Sequence, residues 1–221
     1  MALTDPQDAV EYYDQDAPAF ARRYDSVTFD SVHVGLTDLL PAKGAAVLDV
    51  GAGSGRDARA LAARGFRVTA VEPSAAFRQM AGTDGRIAWV DDRLPGLSSL
   101  CAGDQRFAFI LCSAVLMLVP RHELAPSFAA MARLLEAGGM LAINLRNPVV
   151  GEPAELVHAH SDDDILTAAG DAGLCVIRRD IASDALGRDG HCWRTFIFRQ
   201  GRPASIDPLA SASAFDAAAR T

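Results

Sequence analysis

The residues with the clearest chemical promise lie in Val47-Leu48-Asp49-Val50-Gly51-Ala52-Gly53-Ser54-Gly55-Arg56-Asp57. A short apolar run of buried-strand type, Ala46 to Val50, carries one carboxylate and leads into three alternating glycines. Glycine tolerates positive φ and lets a ligand touch the backbone. The spacing is Gly-x-Gly-x-Gly, and Arg56 stands where the dinucleotide fingerprint Gly-x-Gly-x-x-Gly has its third glycine. Asp49, two residues before Gly51, would repel a pyrophosphate. It suits the ammonium of an amino-acid ligand instead. Glu72 ends the next apolar run, where a carboxylate can accept both hydroxyls of a ribose. Nicotinamide cofactors use such an acid too, so Glu72 alone does not discriminate.

These groups need a frame that brings strand ends together. Apolar runs at Ala46–Val50, Arg67–Val71, Ile87–Val90, Phe107–Cys112 and Met140–Leu145 alternate with helical stretches at Arg56–Arg64, Ser74–Ala81 and Arg121–Glu136. Such alternation indicates βαβ units and a parallel sheet covered on both faces. Gly138-Gly139 reads as a tight exit from the last of these helices. After a helix over Asp162–Ala172, two runs, Leu174–Ile181 and Trp193–Phe198, follow with a Gly/Asp-rich loop between them. That connection implies a hairpin and one antiparallel strand. The expected fold is therefore an α/β, Rossmann-like three-layer sandwich on a mostly parallel seven-stranded sheet. Before it stand a helical stretch from Gln7 to Val27, broken near Pro18, and a second from Phe29 to Leu40. The chain divides into an N-terminal helical cap (residues 1–43), a core (44–200) and a mobile Ala/Ser/Pro-rich tail (201–221).

The bulk properties narrow the function. In 221 residues the formal net charge is −7, a field that repels nucleic acid over most of the surface. Apart from Lys43 the positive charge is arginine, and no basic block occurs. Among the four cysteines, Cys101, Cys112, Cys175 and Cys192, none forms a CxxC pair, which leaves no zinc site of the usual spacing. No apolar run reaches membrane-spanning length, and the first residues lack the pattern of a secretory signal. The expectation is a cytoplasmic protein without metal, membrane or nucleic-acid partners, monomeric or homodimeric.

With the acid, the glycines and the second acid in these positions, the chain resembles the class I SAM-dependent methyltransferases (SAM is S-adenosylmethionine). Asp49, Gly51, Gly53 and Gly55 match that family's first motif, with Ala52 between the first two glycines. Glu72, followed by Pro73, matches the acid after strand two. Asp91 and Asp92 stand near the acid that binds the adenine amino group. Asp92-Arg93-Leu94-Pro95 is similar to the family's Asp-x-Leu-Pro form, which favours Asp92 and turns the Arg93 amide to the adenine. Cys112 and Ser113 match the stretch beneath the methionine part of SAM. Gly55-Arg56-Asp57-Ala58 with Leu61-Ala62-x-x-Gly65 is similar to bacterial small-molecule methyltransferases, distantly those of tellurite resistance.

The resemblance implies SAM as cofactor and methyl transfer to a small molecule, because the obvious cover is about forty N-terminal residues. Tyr13 and Tyr24, with Tyr12, are candidates to close over SAM, and Arg22 or Arg23 to pair with its carboxylate. His33 in the cap, and Arg146 with Asn147 after the fifth strand, are candidates to face the substrate. His158 and His160 are the candidate bases, each with a surface role as the alternative; His122 reads as surface. Two other functions stay open: an NAD-dependent oxidoreductase on a Rossmann-type fold, and a SAM-binding regulator without catalysis.

Overall fold

The computed structural model describes residues 6–82 and 84–201. The tail expected over residues 201–221 falls outside them, Gly201 excepted. Two cap helices, α1 (Pro6–Asp14) and α2 (Ala17–Asp25), precede a one-turn helix α3 (Phe29–Val32). The core then runs β1 (Ala46–Val50), α4 (Arg56–Ala63), β2 (Arg67–Val71), α5 (Ala75–Met80), β3 (Ile87–Val90), α6 (Ser98–Cys101), β4 (Phe107–Ser113), α7 (Leu124–Leu134), β5 (Leu135–Arg146), α8 (Asp162–Asp171), β6 (Leu174–Ser183) and β7 (Cys192–Gln200). The seven strands lie in the order β3-β2-β1-β4-β5-β7-β6. All pairs from β3 to β5 are parallel, and β7 runs antiparallel between β5 and β6. The Rossmann-like sheet with one reversed strand is thus present.

The central strands read as continuous apolar runs because both of their faces are covered. In β4, Ile110 and Cys112 pack into one layer with Phe128 and Met131 of α7. Phe109 and Leu111 face the opposite layer, with Ala58 and Leu61 of α4. The order in which strands are added reverses between the parallel neighbours β1 and β4, since β2 and β3 extend one way and β5 the other. Ligands in open α/β sheets bind beyond the carboxyl ends of the strands at such a point. No helix among the described residues is long and apolar enough to cross a membrane.

Three sequence expectations need correction. The helix expected over Phe29–Leu40 stops at Val32, because Gly35 takes φ +72° and Arg178 of β6 donates to its carbonyl at 2.8 Å; only a short 3-10 turn, Thr37–Leu39, follows. The break near Pro18 falls earlier, at Gln15-Asp16, and Pro18 sits in the first turn of α2, where its missing N–H costs nothing. The helix expected to reach Glu136 ends at Leu134. Gly138 and Gly139 belong to an excursion inside β5, where the register jumps from Phe107↔Leu135 to Phe109↔Met140. A Cβ on Gly139 would stand 2.9 Å from the Glu136 carbonyl and 3.1 Å from that of Phe107, which explains the glycine there.

Candidate active site

The carboxyl ends of the strands open into a cavity of about 510 Å³, roofed by α1 and α2 and flanked by the β6–β7 hairpin. Its floor is the glycine loop. Gly51 and Ala52 donate to the Val71 carbonyl at 2.8 and 2.9 Å, which folds the end of β1 over β2. The three glycines take φ of +71°, +53° and +82°, yet they serve different ends. A Cβ on Gly51 would lie 2.4 Å from Cγ2 of Val115, so any side chain there must displace Val115. Gly53 faces the cavity, with the Tyr24 ring 3.7 Å from where its Cβ would stand. Gly55 begins α4 against Trp89 and does not line the cavity.

Two buried carboxylates flank this loop. Glu72 Oε2 accepts the Gly53 amide at 2.7 Å, and Oε1 accepts the Ser74 amide at 2.8 Å. Burial pushes its pKa up, against these two amides and Arg78. Each oxygen keeps a second lone pair for a ligand hydroxyl. Asp49 is 2% exposed, and its Oδ2 has no hydrogen-bond partner among the described residues. Burial first, then the charge of Asp57, push the Asp49 carboxyl well above the usual range, with Arg56 opposing. Asp57 behaves oppositely. Burial raises it, but the hydrogen bond and charge of His33, and then of Arg56, bring it below the ordinary carboxylate value.

The walls come from later strands. Pro73, Arg93 and Ser113 line the cavity, as do Ala52 and Asp92. Asp92 also caps α6, its carboxylate accepting the Ser98 and Ser99 amides at 3.1 and 2.8 Å. Asp91 turns to solvent and pairs with Arg78 at 2.7 Å, away from the cavity. Cys112 lies behind the wall in the core, its thiol pushed up by burial. Next to Ser113, Ala114 holds φ +60°, a left-handed conformation fixed by its amide's 2.7 Å bond to the Asn144 carbonyl.

The cap is fastened to this floor at several points. Ser74 Oγ donates to Asp14, and Ser54 Oγ donates to Asp25 at 2.7 Å. Arg59 reaches the same Asp25 at 3.0 Å. Tyr13 and Tyr24 both line the cavity and pack on Phe77 with ring centroids 6.4 and 6.2 Å away. Burial pushes both phenols up in pKa, so both stay neutral donors at neutral pH. Tyr12 and Arg23 line the cavity as well; Arg22 does not. His33 lies under the loop instead, with Nε2 donating to Asp57 Oδ2 at 3.0 Å.

Neither candidate base lines the cavity. His160 is 2% exposed, and its Nε2 lies 3.0 Å from the carbonyls of Leu116 and Val119, so it knits the segment after β4. Burial lowers its pKa, as it does for His158, and neither ring is placed to take a proton from a molecule bound there. The expectation that one of them acts as base is therefore set aside on geometry. Asn147 also stays outside, accepting from Arg194 at 2.8 Å.

Of the far wall, sequence reasoning found Arg146 and overlooked the rest. Asn144 and Arg146 end β5, and Glu152 pairs with Arg146. In the hairpin, Asp184 accepts Arg188 Nη2 at 2.7 Å and Trp193 Nε1 at 2.8 Å. These pairs join residues with no motif between them; the Gly/Asp-rich composition of the hairpin is the sole hint in the chain.

Comparison with known proteins agrees with this construction. Residues 47–139 match the methyltransferase-domain family. No curated protein matches the chain. Among solved structures, the [4+2]-cyclase SpnF is similar at 14% identity and TM-score 0.66, covering 92% of this chain and 98% of that one. The 1,6-didemethyltoxoflavin-N1-methyltransferase of Burkholderia thailandensis, solved with 1,6-didemethyltoxoflavin and S-adenosylhomocysteine, is similar at 17% identity and TM-score 0.67, covering 91% and 92%. A TehB-like SAM-dependent methyltransferase from Corynebacterium glutamicum gives 20% identity and TM-score 0.65, covering 84% and 98%. At such identities these likenesses speak to the fold; the family match over the glycine loop and the following strands speaks to the motifs. Residues 47–139 thus match a methyltransferase domain, and the fold is that of the SAM-dependent methyltransferases to which the chain is similar.

Proposed function

We propose that the cavity binds SAM along the glycine loop and transfers its methyl group to a small-molecule acceptor held against the far wall. The observation that carries this reading is Asp49: a buried carboxylate oxygen with no partner among the described residues, beside a loop that keeps side chains away. A cationic amino group is the natural complement. A pyrophosphate would meet two buried carboxylates, which argues against a nicotinamide cofactor.

In this reading Glu72 accepts the ribose hydroxyls and Gly53 leaves room for the ligand to touch the backbone; the Arg93 amide, expected to face the adenine, instead donates to Asp92 Oδ1 at 2.8 Å, so Arg93 serves only as wall. Asp92 shapes that wall by holding α6. SAM supplies a methyl group already activated by its sulfonium, for in-line displacement by the acceptor. The chain's own contribution is alignment and exclusion of water. Orientation of two reactants can supply about 7–11 kcal/mol of a barrier. Tyr13 and Tyr24 line the roof with uncharged hydroxyls, and the cap is fastened to the floor through Asp14 and Asp25. With neither His158 nor His160 at hand, the proposal suits an acceptor that needs little help from a base.

Calorimetric titration with SAM, S-adenosylhomocysteine and NAD tests the reading. The first two should bind and NAD should not, and radiolabelled SAM should pass its methyl to a component of a small-metabolite extract. Binding of NAD in place of SAM would overturn it. Binding of SAM without turnover on any extract would leave a regulator rather than an enzyme.

A further inference from the structure

Arg146 ends β5 on the far wall, and its side chain is only 7% exposed. Glu152 meets its guanidinium end-on: Nη1 donates to Oε2 at 2.7 Å and Nη2 to Oε1. The other Nη1 hydrogen is used by the Asn147 carbonyl at 3.0 Å. A guanidinium has five N–H groups in a fixed plane. The two left over, Nε–H and the second Nη2–H, lie parallel along one side edge. Nε is buried and has no hydrogen-bond partner among the described residues.

A buried donor on a cation is unfavourable until an acceptor reaches it. Two parallel N–H groups at this spacing match the two oxygens of a carboxylate. The Trp193 ring lies 5.8 Å from Cζ, and Met117, Leu156 and Val157 line the same cavity, beside the Asp184–Arg188 pair. Glu152 serves to hold the guanidinium in place from the adjoining Nη1/Nη2 end.

We propose that the methyl acceptor is a carboxylate-bearing small molecule whose carboxylate binds the Nε/Nη2 edge of Arg146, with its apolar body against Trp193. Nε is buried in this structure, so the proposal requires that edge to become accessible when the acceptor binds. This assignment rests on the methyltransferase reading and makes Arg146 a specificity-determining residue.

The test uses benzoate as probe and benzamide as its uncharged counterpart, titrated with and without S-adenosylhomocysteine. Trp89→Phe leaves Trp193 as the sole tryptophan, so its fluorescence reports on the far wall. Benzoate should bind about tenfold more tightly than benzamide and change the Trp193 emission, as expected for a two-pronged charged contact. Arg146→Lys keeps the charge and lacks the fork; the preference should fall to about twofold or less, with S-adenosylhomocysteine affinity unchanged. Equal binding of the two probes, no benzoate binding up to its solubility limit, or a preference that survives Arg146→Lys would each overturn the proposal. The comparison of probes on the unmutated far wall stands even where Arg146→Lys fails to fold. Failure of S-adenosylhomocysteine to bind would sink the cofactor reading instead, and the titrations without it would still decide this one.

Discussion

The two sides of the cavity are built from different materials. On the β1–β2 side the recognition surface is backbone: a glycine loop that faces the cavity at Gly51 and Gly53, bounded by buried carboxylates at Asp49 and Glu72. On the β5–β7 side it is side chains that neutralise one another, Arg146 with Glu152 and Arg188 with Asp184. A backbone surface is demanding about its neighbours, since an added Cβ intrudes at once. A side-chain surface can be rebuilt by exchanging partners. The first arrangement fits a ligand that does not vary, and the second a ligand that can.

The sharpest way to break this contrast is within the loop itself. Gly51→Ala should cost about 3 kcal/mol of stability in denaturant unfolding, because its Cβ collides with Val115 at a left-handed φ. Gly53→Ala should cost about 1–2 kcal/mol, from φ alone, while weakening SAM binding most. Equal stability losses would mean that the two glycines share one role.

Glu72→Ala should weaken SAM binding by about 1–3 kcal/mol in calorimetry, through lost ribose hydrogen bonds. An unchanged affinity in the folded variant would remove Glu72 from the cofactor side.

The two buried aspartates should respond to pH with opposite signs. The Asp49 carboxyl is raised in the folded state, so it takes up its proton more readily there, and stability declines as pH climbs from about 3.9 toward the folded value. Asp49→Asn should therefore stabilise the protein at neutral pH by about 1 kcal/mol while abolishing SAM binding. The Asp57 carboxyl is lowered, so its contribution is present above about 3.9 and lost as pH falls through the folded value. Asp57→Asn should flatten the acid side of the stability profile. Profiles of the two variants that change alike would show that the carboxylates act as one unit.

The smallest effect is expected in the hairpin. Asp184→Asn weakens a cluster that accepts from Arg188, Trp193 and the Leu186 and Arg188 amides. Hydrogen exchange at those two amides should speed up by the equivalent of about 1 kcal/mol, with the β1–β2 side undisturbed.

The same contrast explains what the sequence disclosed. Strands β1, β2 and β3 are readable to the residue because each is a short, mostly apolar run followed by glycine or an acid. The positions of Asp49, Glu72 and the glycines follow from spacing, since a backbone site is written in consecutive residues. The family match over residues 47–139 spans the same stretch. The far wall is completed by Asn144, Glu152 and Asp184, which meet only through the sheet and its hairpin. Nothing local in the chain marks them. The glycines of Gly138-Gly139 carry a true signal with the wrong address: they imply a turn, and the turn lies inside β5, where the register against β4 shifts. A histidine near a strand end, such as His160, looks free to act until its carbonyl partners 41 and 44 residues away are seen.

The placement of β7 bears on how the chain is made. Among the described strands it follows all the others in the chain, yet it occupies an interior position between β5 and β6. Until it emerges from the ribosome, the long β5 ladder from Met140 to Arg146 has no second neighbour, and its peptide groups lie open to other nascent chains. The molecule is thus assembled like an arch whose keystone arrives at the end, and its vulnerable period is the interval before that stone is set.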